Sequence, residues 1–204
     1  MSAHWSELAM RYRRKTARHE VQAAVPKAAV TRVHVPDDDA KAHLVTAVLK
    51  ARCEPGEELE LFGESATALA RPRRDKLRAR VGAVSPIVGL ITNLNAWENI
   101  ALPAAYHGAP PLEEVARLAH EVLGDFGLQS QPFLARIPDE LGVLERKIAA
   151  LVRSLVTAPE LMLFDALEDG LSTAECRHAA RFEAQYRARQ PEGTVLYVDT
   201  KEEA

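Results

Sequence analysis

Residues 137–172, IPDELGVLERKIAALVRSLVTAPELMLFDALEDGLS, decide the fold. Pro138, Asp139 and Glu140 open the stretch, and Leu144, Ile148, Leu151, Val152 and Leu155 then recur at steps of three and four. That spacing puts apolar side chains on one face of a helix, so it predicts a helix that stops before Pro159. The ELMLFD that follows is a short apolar run without alternation, which suits a strand covered on both faces of a parallel sheet. Its last residue, Asp165, falls at the C-terminal end of that strand, where α/β sheets gather their ligands.

The chain's 204 residues are 47% hydrophobic and 27% charged, enough for one domain with an ordinary core. A net charge of -3 leaves no electrostatic footprint for nucleic acid or for an anionic membrane surface. Basic clusters at 11–18 and 71–80 read as solvated faces. No apolar run approaches the roughly 20 residues of a transmembrane helix, and the N-terminus lacks a signal-peptide core, so a cytoplasmic protein without direct membrane insertion is expected. Cys53 and Cys176 form no CxxC pair and fit a reducing compartment. His178 lies two residues from Cys176 on an expected helix and points to a different face, so no metal site is expected.

Residues 1–20, polar and basic, read as a mobile arm or an irregular edge. A strand built on Val30, Val33 and Val35 is broken by Pro36, and Asp37, Asp38 and Asp39 then precede a helix carrying Leu44, Val45 and Val48. Strand, loop and helix in that order is the topology of a phosphate loop. Glu57 to Phe62 alternates as a half-exposed strand should, after a turn at Pro55 and Gly56. VGAVS at 81–85 reads as a second buried strand. Asn95 is placed to cap a helix that begins near Trp97 and Glu98. A second amphipathic helix over 112–126 presents Val115, Leu118, Ala119 and Val122. One charged helix follows Ser172, and Val195 to Val198 gives a last buried strand.

In order and spacing these elements resemble the ATP-binding subunit of ABC transporters, over roughly residues 21–204. There a signature turn, Leu-Ser-Gly-Gly-Gln, opens a helix that leads to a strand ending in Asp-Glu-Pro and then to a Gly-Leu-Asp turn. Here the three read Leu141, Gly142, Val143, Leu144, Glu145; Asp165, Ala166, Leu167; and Gly170, Leu171, Ser172. The run at 87–107, IVGLITNLNAWENIALPAAYH, is close to the family's LFPNLTVWENVALPL, and the similarity is nearest to bacterial lipid-transport and Mce-type ATPases. The resemblance implies an α/β fold with a RecA-like, P-loop-type, mostly parallel sheet, a single domain over 1–204, a helical subdomain at about 88–157, and a C-terminus shorter than the family's.

The family's chemistry is thinned out. Its phosphate loop, GPSGSGKST, falls on residues 35–43, VPDDDAKAH, where only the proline and Lys41 survive. Glycines let backbone N–H groups converge on phosphate oxygens, and the Ser or Thr after the lysine holds Mg²⁺. Three carboxylates take that place here. A like-charge contact near 4 Å costs roughly 1 kcal/mol in water and about 4 kcal/mol at an effective dielectric of 20. The glutamine that contacts metal and water falls on Pro86, the general base on Ala166, and the γ-phosphate-sensing histidine on Thr200. Glu145 adds negative charge to the signature turn, where Val143 and Leu144 replace two glycines. Lys41 stands either for an ordinary helix lysine or, with Asp165, for a vestigial nucleotide ligand; Tyr12 stands either for the aromatic residue that stacks on adenine or for a plain surface tyrosine.

The resemblance therefore implies a pseudo-ATPase: a noncatalytic subunit, structural or regulatory, of a membrane transport complex, with lipid as a candidate cargo. No cofactor is expected, although ATP with Mg²⁺ is what the scaffold takes elsewhere in the family. Its partners would be a membrane permease, a partner ABC ATPase or both, with a dimer as one assembly, peripheral at the inner membrane. Leu94 and Trp97 are either contacts to such a partner or core residues. The alternatives are a free-standing interaction protein on the same scaffold and a weak ATP-binding or ATP-hydrolysing cassette.

Overall fold

The computed structural model describes residues 7–17, 19–108 and 110–200. The chain begins with β1 (Leu8–Lys15), β2 (Glu20–Pro26), β3 (Val30–Val35), α1 (Asp38–Lys50), β4 (Glu57–Leu61), β5 (Glu64–Ser65) and α2 (Arg71–Arg78). It continues through β6 (Val81–Val84), α3 (Ala96–His107), α4 (Leu112–Asp125), α5 (Ser130–Ala135) and α6 (Val143–Leu155). β7 (Leu161–Asp165), α7 (Thr173–Ala179), α8 (Phe182–Arg189) and β8 (Thr194–Thr200) complete the order. Two units divide the chain: 1–81 with 160–165 and 191–204, and 82–159 with 166–190.

In the first unit the apolar run at the centre of the sequence argument is β7, with all five residues buried. It pairs in parallel with β8, Leu161 opposite Thr194, and β8 pairs in parallel with β3, Val30 opposite Val195. α1 packs on β3, β4 and β8 through Leu44, Val45 and Val48, the residues its periodicity turns inward. A second, antiparallel sheet runs β2-β1-β4-β5.

The arm or irregular edge expected at the N-terminus is, over residues 8–15, an inner strand of that sheet, paired to β2 on one side and β4 on the other. Met10 and Tyr12 face the core while Arg11 and Arg13 face out. Arg11 donates to Glu60 at 3.2 Å and Arg13 to Glu20 at 2.8 Å, so acids on the neighbouring strands balance the basic residues. Glu60 lies 49 residues along the chain from Arg11, too far for local composition to announce that pair.

In the second unit α3, α4, α5 and α6 pack together. Asn95 caps α3 as expected, in a reciprocal box with Glu98. Asn99, fully buried, accepts from the Ile91 N–H at 2.7 Å and donates to the carbonyls of Ile91, Leu94 and Asn95, which fixes the loop before α3. Ser154 of α6 bonds both backbone groups of Ala83, accepting at 3.2 Å and donating at 2.7 Å. The single helix expected after Ser172 is two. Phe182 packs edge-on against Phe126 at 5.4 Å, Arg181 donates to the Asp125 carbonyl at 2.7 Å, and the Tyr186 hydroxyl donates to the Pro159 carbonyl at 2.9 Å. These tertiary anchors hold α8 apart from α7 where helical periodicity alone would have run on.

Candidate functional site

The site builds from the end of β3. Val35 is buried, Pro36 ends the strand, and Asp37 becomes the cap of α1: its Oδ1 accepts from the Ala40 N–H at 2.8 Å. A carboxylate there satisfies one of the unpaired N–H groups that open a helix and opposes the positive end of the helix dipole. Asp38 Oδ1 lies 3.5 Å from Lys41 Nζ. Asp39 accepts from Arg14 at 3.0 Å, and that hydrogen bond holds its carboxyl below the usual range. Each acid of the DDD run thus has a basic or N–H partner inside the chain.

Lys41 and Asp165, chosen from sequence alone, do come together: Nζ and Oδ1 are 3.9 Å apart, with Asp165 buried and Lys41 half-buried. Ala42 follows Lys41 and offers no hydroxyl. Tyr12 departs from its expected role. Its ring is 1% exposed and its hydroxyl donates to Glu57 at 3.1 Å, so it is neither a surface tyrosine nor a platform with an open face for adenine. Burial, with the Glu57 charge beside it, pushes the phenol far above its ordinary value.

Glu57 is the group that sequence reasoning missed. Its side chain is 1% exposed, and its two oxygens receive Tyr12 Oη, the Glu54 N–H at 2.8 Å and His43 Nδ1 at 2.7 Å, with Arg14 Nε at 3.8 Å. A carboxylate only accepts, so Nδ1 carries the ring proton. The signal was present in EELEL: alternation puts Glu57 on the same face as Leu59 and Leu61, a charge at an apolar position. Beside this cluster opens a cleft of about 490 Å³ lined by Asp39, His43, Thr46, Lys50, Cys53 and Glu54. Burial pushes the Cys53 thiol up.

At the start of α6 the negative charge expected from Glu145 is balanced. Arg136 grips both of its oxygens, at 3.1 and 2.5 Å, and the Gly142 N–H donates to it at 2.9 Å. Burial works to raise the Glu145 carboxyl, but the Arg136 and Gly142 hydrogen bonds hold it below the usual range. Val143 and Leu144 are half-buried beside it. After β7 stand Ala166 and Leu167, both buried, where the resemblance calls for the general base and a proline. Pro86 opens a short 3-10 turn, and Thr200 ends β8 half-exposed.

Leu94 and Trp97 are half-buried, and Ile87 and Ile91 in the same stretch are exposed. Among the described residues no group of three or more His, Cys, Asp or Glu side chains is placed to hold a metal ion. No helix among them is long and apolar enough to cross a membrane.

No family model matches the chain. Over 117 residues it is 37% identical to the lipoprotein-releasing system ATP-binding protein LolD of Jannaschia sp. (strain CCS1), covering 57% of this chain and 50% of that protein. Over 148 residues it is 26% identical to the intermembrane phospholipid transport system ATP-binding protein MlaF of Escherichia coli (strain K12), covering 71% of this chain and 53% of that one. The chain thus spans about half the length of these curated relatives. Among solved structures, a bacterial ABC transporter cassette determined as a dimer matches with a TM-score of 0.75 and 20% identity, over 95% of this chain and 87% of the other. The cbiO1 protein from Clostridium perfringens, part of the ABC transporter complex cbiONQ, matches with a TM-score of 0.72 and 14% identity, over 96% and 79%.

Proposed function

We propose, for a chain that carries the ABC cassette fold and is related to the ATP-binding subunits of ABC transporters, a noncatalytic role as a structural or regulatory subunit of a membrane transport complex. The observation that carries this reading is the Asp37 carboxylate on the Ala40 N–H, because it takes up a donor at the helix end where a nucleotide phosphate would seat. The rest of the donor set agrees. Holding a magnesium-bound triphosphate draws on a hydroxyl after the lysine, and hydrolysing it on a carboxylate after the strand-end aspartate; Ala42 does not fit the first task and Ala166 does not fit the second. At the signature position Glu145 closes the start of α6 on itself.

The complex would be assembled through residues 87–108. Half-buried Leu94 and Trp97 with exposed Ile87 and Ile91 supply apolar contact area for a permease at the cytoplasmic face of the inner membrane, or for a partner cassette. Lipid or lipoprotein is the favoured cargo class, because the named systems of LolD and MlaF move those molecules. A tagged pulldown from detergent-solubilised membranes, with ATP turnover measured on whatever is recovered, tests the assignment. Recovery of a permease or partner ATPase, lost in a Trp97→Ala variant, supports it; the tagged chain recovered alone favours a free-standing interaction protein. The retained approach of Lys41 to Asp165 favours a second reading, a weak nucleotide binder, which stabilisation by Mg-ATP would select.

A further inference from the structure

Lys147 sends its ammonium from α6 into the turn that follows β7. Nζ donates to the carbonyl of Ala166 at 2.7 Å and to that of Leu167 at 2.8 Å. Ala166 holds a φ of 52°, the left-handed region that an alanine seldom adopts, so something outside the residue must keep it there. Charge-assisted hydrogen bonds are the stronger class, and two of them on successive carbonyls fix the direction of both peptide planes. α6 meets the turn a second time: Val143 Cγ1 would stand 3.6 Å from a Cβ at Gly170, whose φ is 73°. Within the turn the Asp169 N–H donates to Ala166 at 3.2 Å and the Leu171 N–H to Glu168 at 3.1 Å. Residues 168–170 are exposed, so apolar burial secures only the first two positions.

We infer that Lys147 is the positioning residue of the 166–171 turn: a cation resident on α6, and no bound ligand, sets the backbone there. The start of α6 and the turn then form one preset body, which a partner meets already ordered. The inference stands on the geometry of α6 and the turn and does not depend on whether the chain binds nucleotide.

Backbone hydrogen exchange on the full chain without added ligand tests it, comparing wild type, K147M, K147Q and K147R. K147M keeps the apolar stem and removes the donors, so the Asp169 and Leu171 amides are expected to exchange at least about tenfold faster, a change of about 1.4 kcal/mol in local opening. Amides of β1 and β4 are expected to stay unchanged. K147R restores most of the protection, and K147Q, a donor without charge and the milder change should K147M not fold, falls between. Wild-type exchange at those two amides in K147M or K147Q, no restoration in K147R, or an equal acceleration across β1 and β4 would each overturn the assignment.

Discussion

Replacing Asp37 separates the two things its carboxylate does. Asp37→Asn keeps an equally good cap for the Ala40 N–H and removes the charge, so only the interaction with the helix dipole is lost, about 0.5 kcal/mol. Asp37→Ala removes the cap as well, for a total of about 1.5 kcal/mol. At about 2–4 °C per kcal/mol for a chain of this size, the melting temperature is expected to fall by about 1–2 °C in D37N and about 3–6 °C in D37A. The same melts with 5 mM Mg-ATP carry the functional half. A site with a Kd of about 50 μM would be a hundredfold saturated, adding about 2.7 kcal/mol and raising the melting temperature by about 5–10 °C. A flat response is expected in the wild type, and also in D37A, where Asp38 still stands 3.5 Å from Lys41 Nζ. A rise of several degrees in the wild type would refute the exclusion of nucleotide from this helix end, and a D37A protein as stable as D37N would refute the capping role on which that exclusion rests.

Glu57→Gln swaps one accepting oxygen of the buried cluster for a donor that faces Tyr12, His43 or the Glu54 N–H, and is expected to destabilise by about 3 kcal/mol in urea melts. Ser154→Ala leaves both backbone groups of Ala83 without their partner in a buried place, an expected loss of about 1–3 kcal/mol by the same measurement. Glu145 gives a pH dependence. Its folded carboxyl is held below the ordinary 4.5, so its contribution is present above that value and is lost as pH falls through the lower folded value. The stability gap between wild type and E145Q is therefore expected to be constant from pH 7 to about 5 and to close below about 4.5; a gap that widens toward acid would contradict the pairing with Arg136.

The elements whose evidence is local were readable in advance. α6 and β7 follow from the spacing of Leu144, Ile148, Leu151 and Leu155 and from an unbroken apolar run; the start of α1 follows from its run of acids and the cap of α3 from Asn95, because a cap is a contact between residues three apart. The approach of Lys41 to Asp165 came from the order of the elements and not from either residue's neighbours. β1 was hard to read because basic residues crowd its second half, and only the pairing with β4, well along the chain, shows that Met10 and Tyr12 face a core while Arg11 and Arg13 face out. Tyr12 went to the core for the same reason, since Glu57, on a strand 45 residues away, offers its hydroxyl a buried acceptor.

The sequence by itself determined the main helices and strands after β2, which follow from short-range periodicity, and its resemblance to the ABC cassette set Ala42, Pro86 and Ala166 where that family carries a hydroxyl, a glutamine and a glutamate. Tertiary structure alone decided where each charge ends up. Asp39 on Arg14, Glu145 on Arg136 and Glu57 under Tyr12 and His43 are pairings between different elements of the fold, and the field at a site depends on which opposite charge the fold brings within a few ångströms.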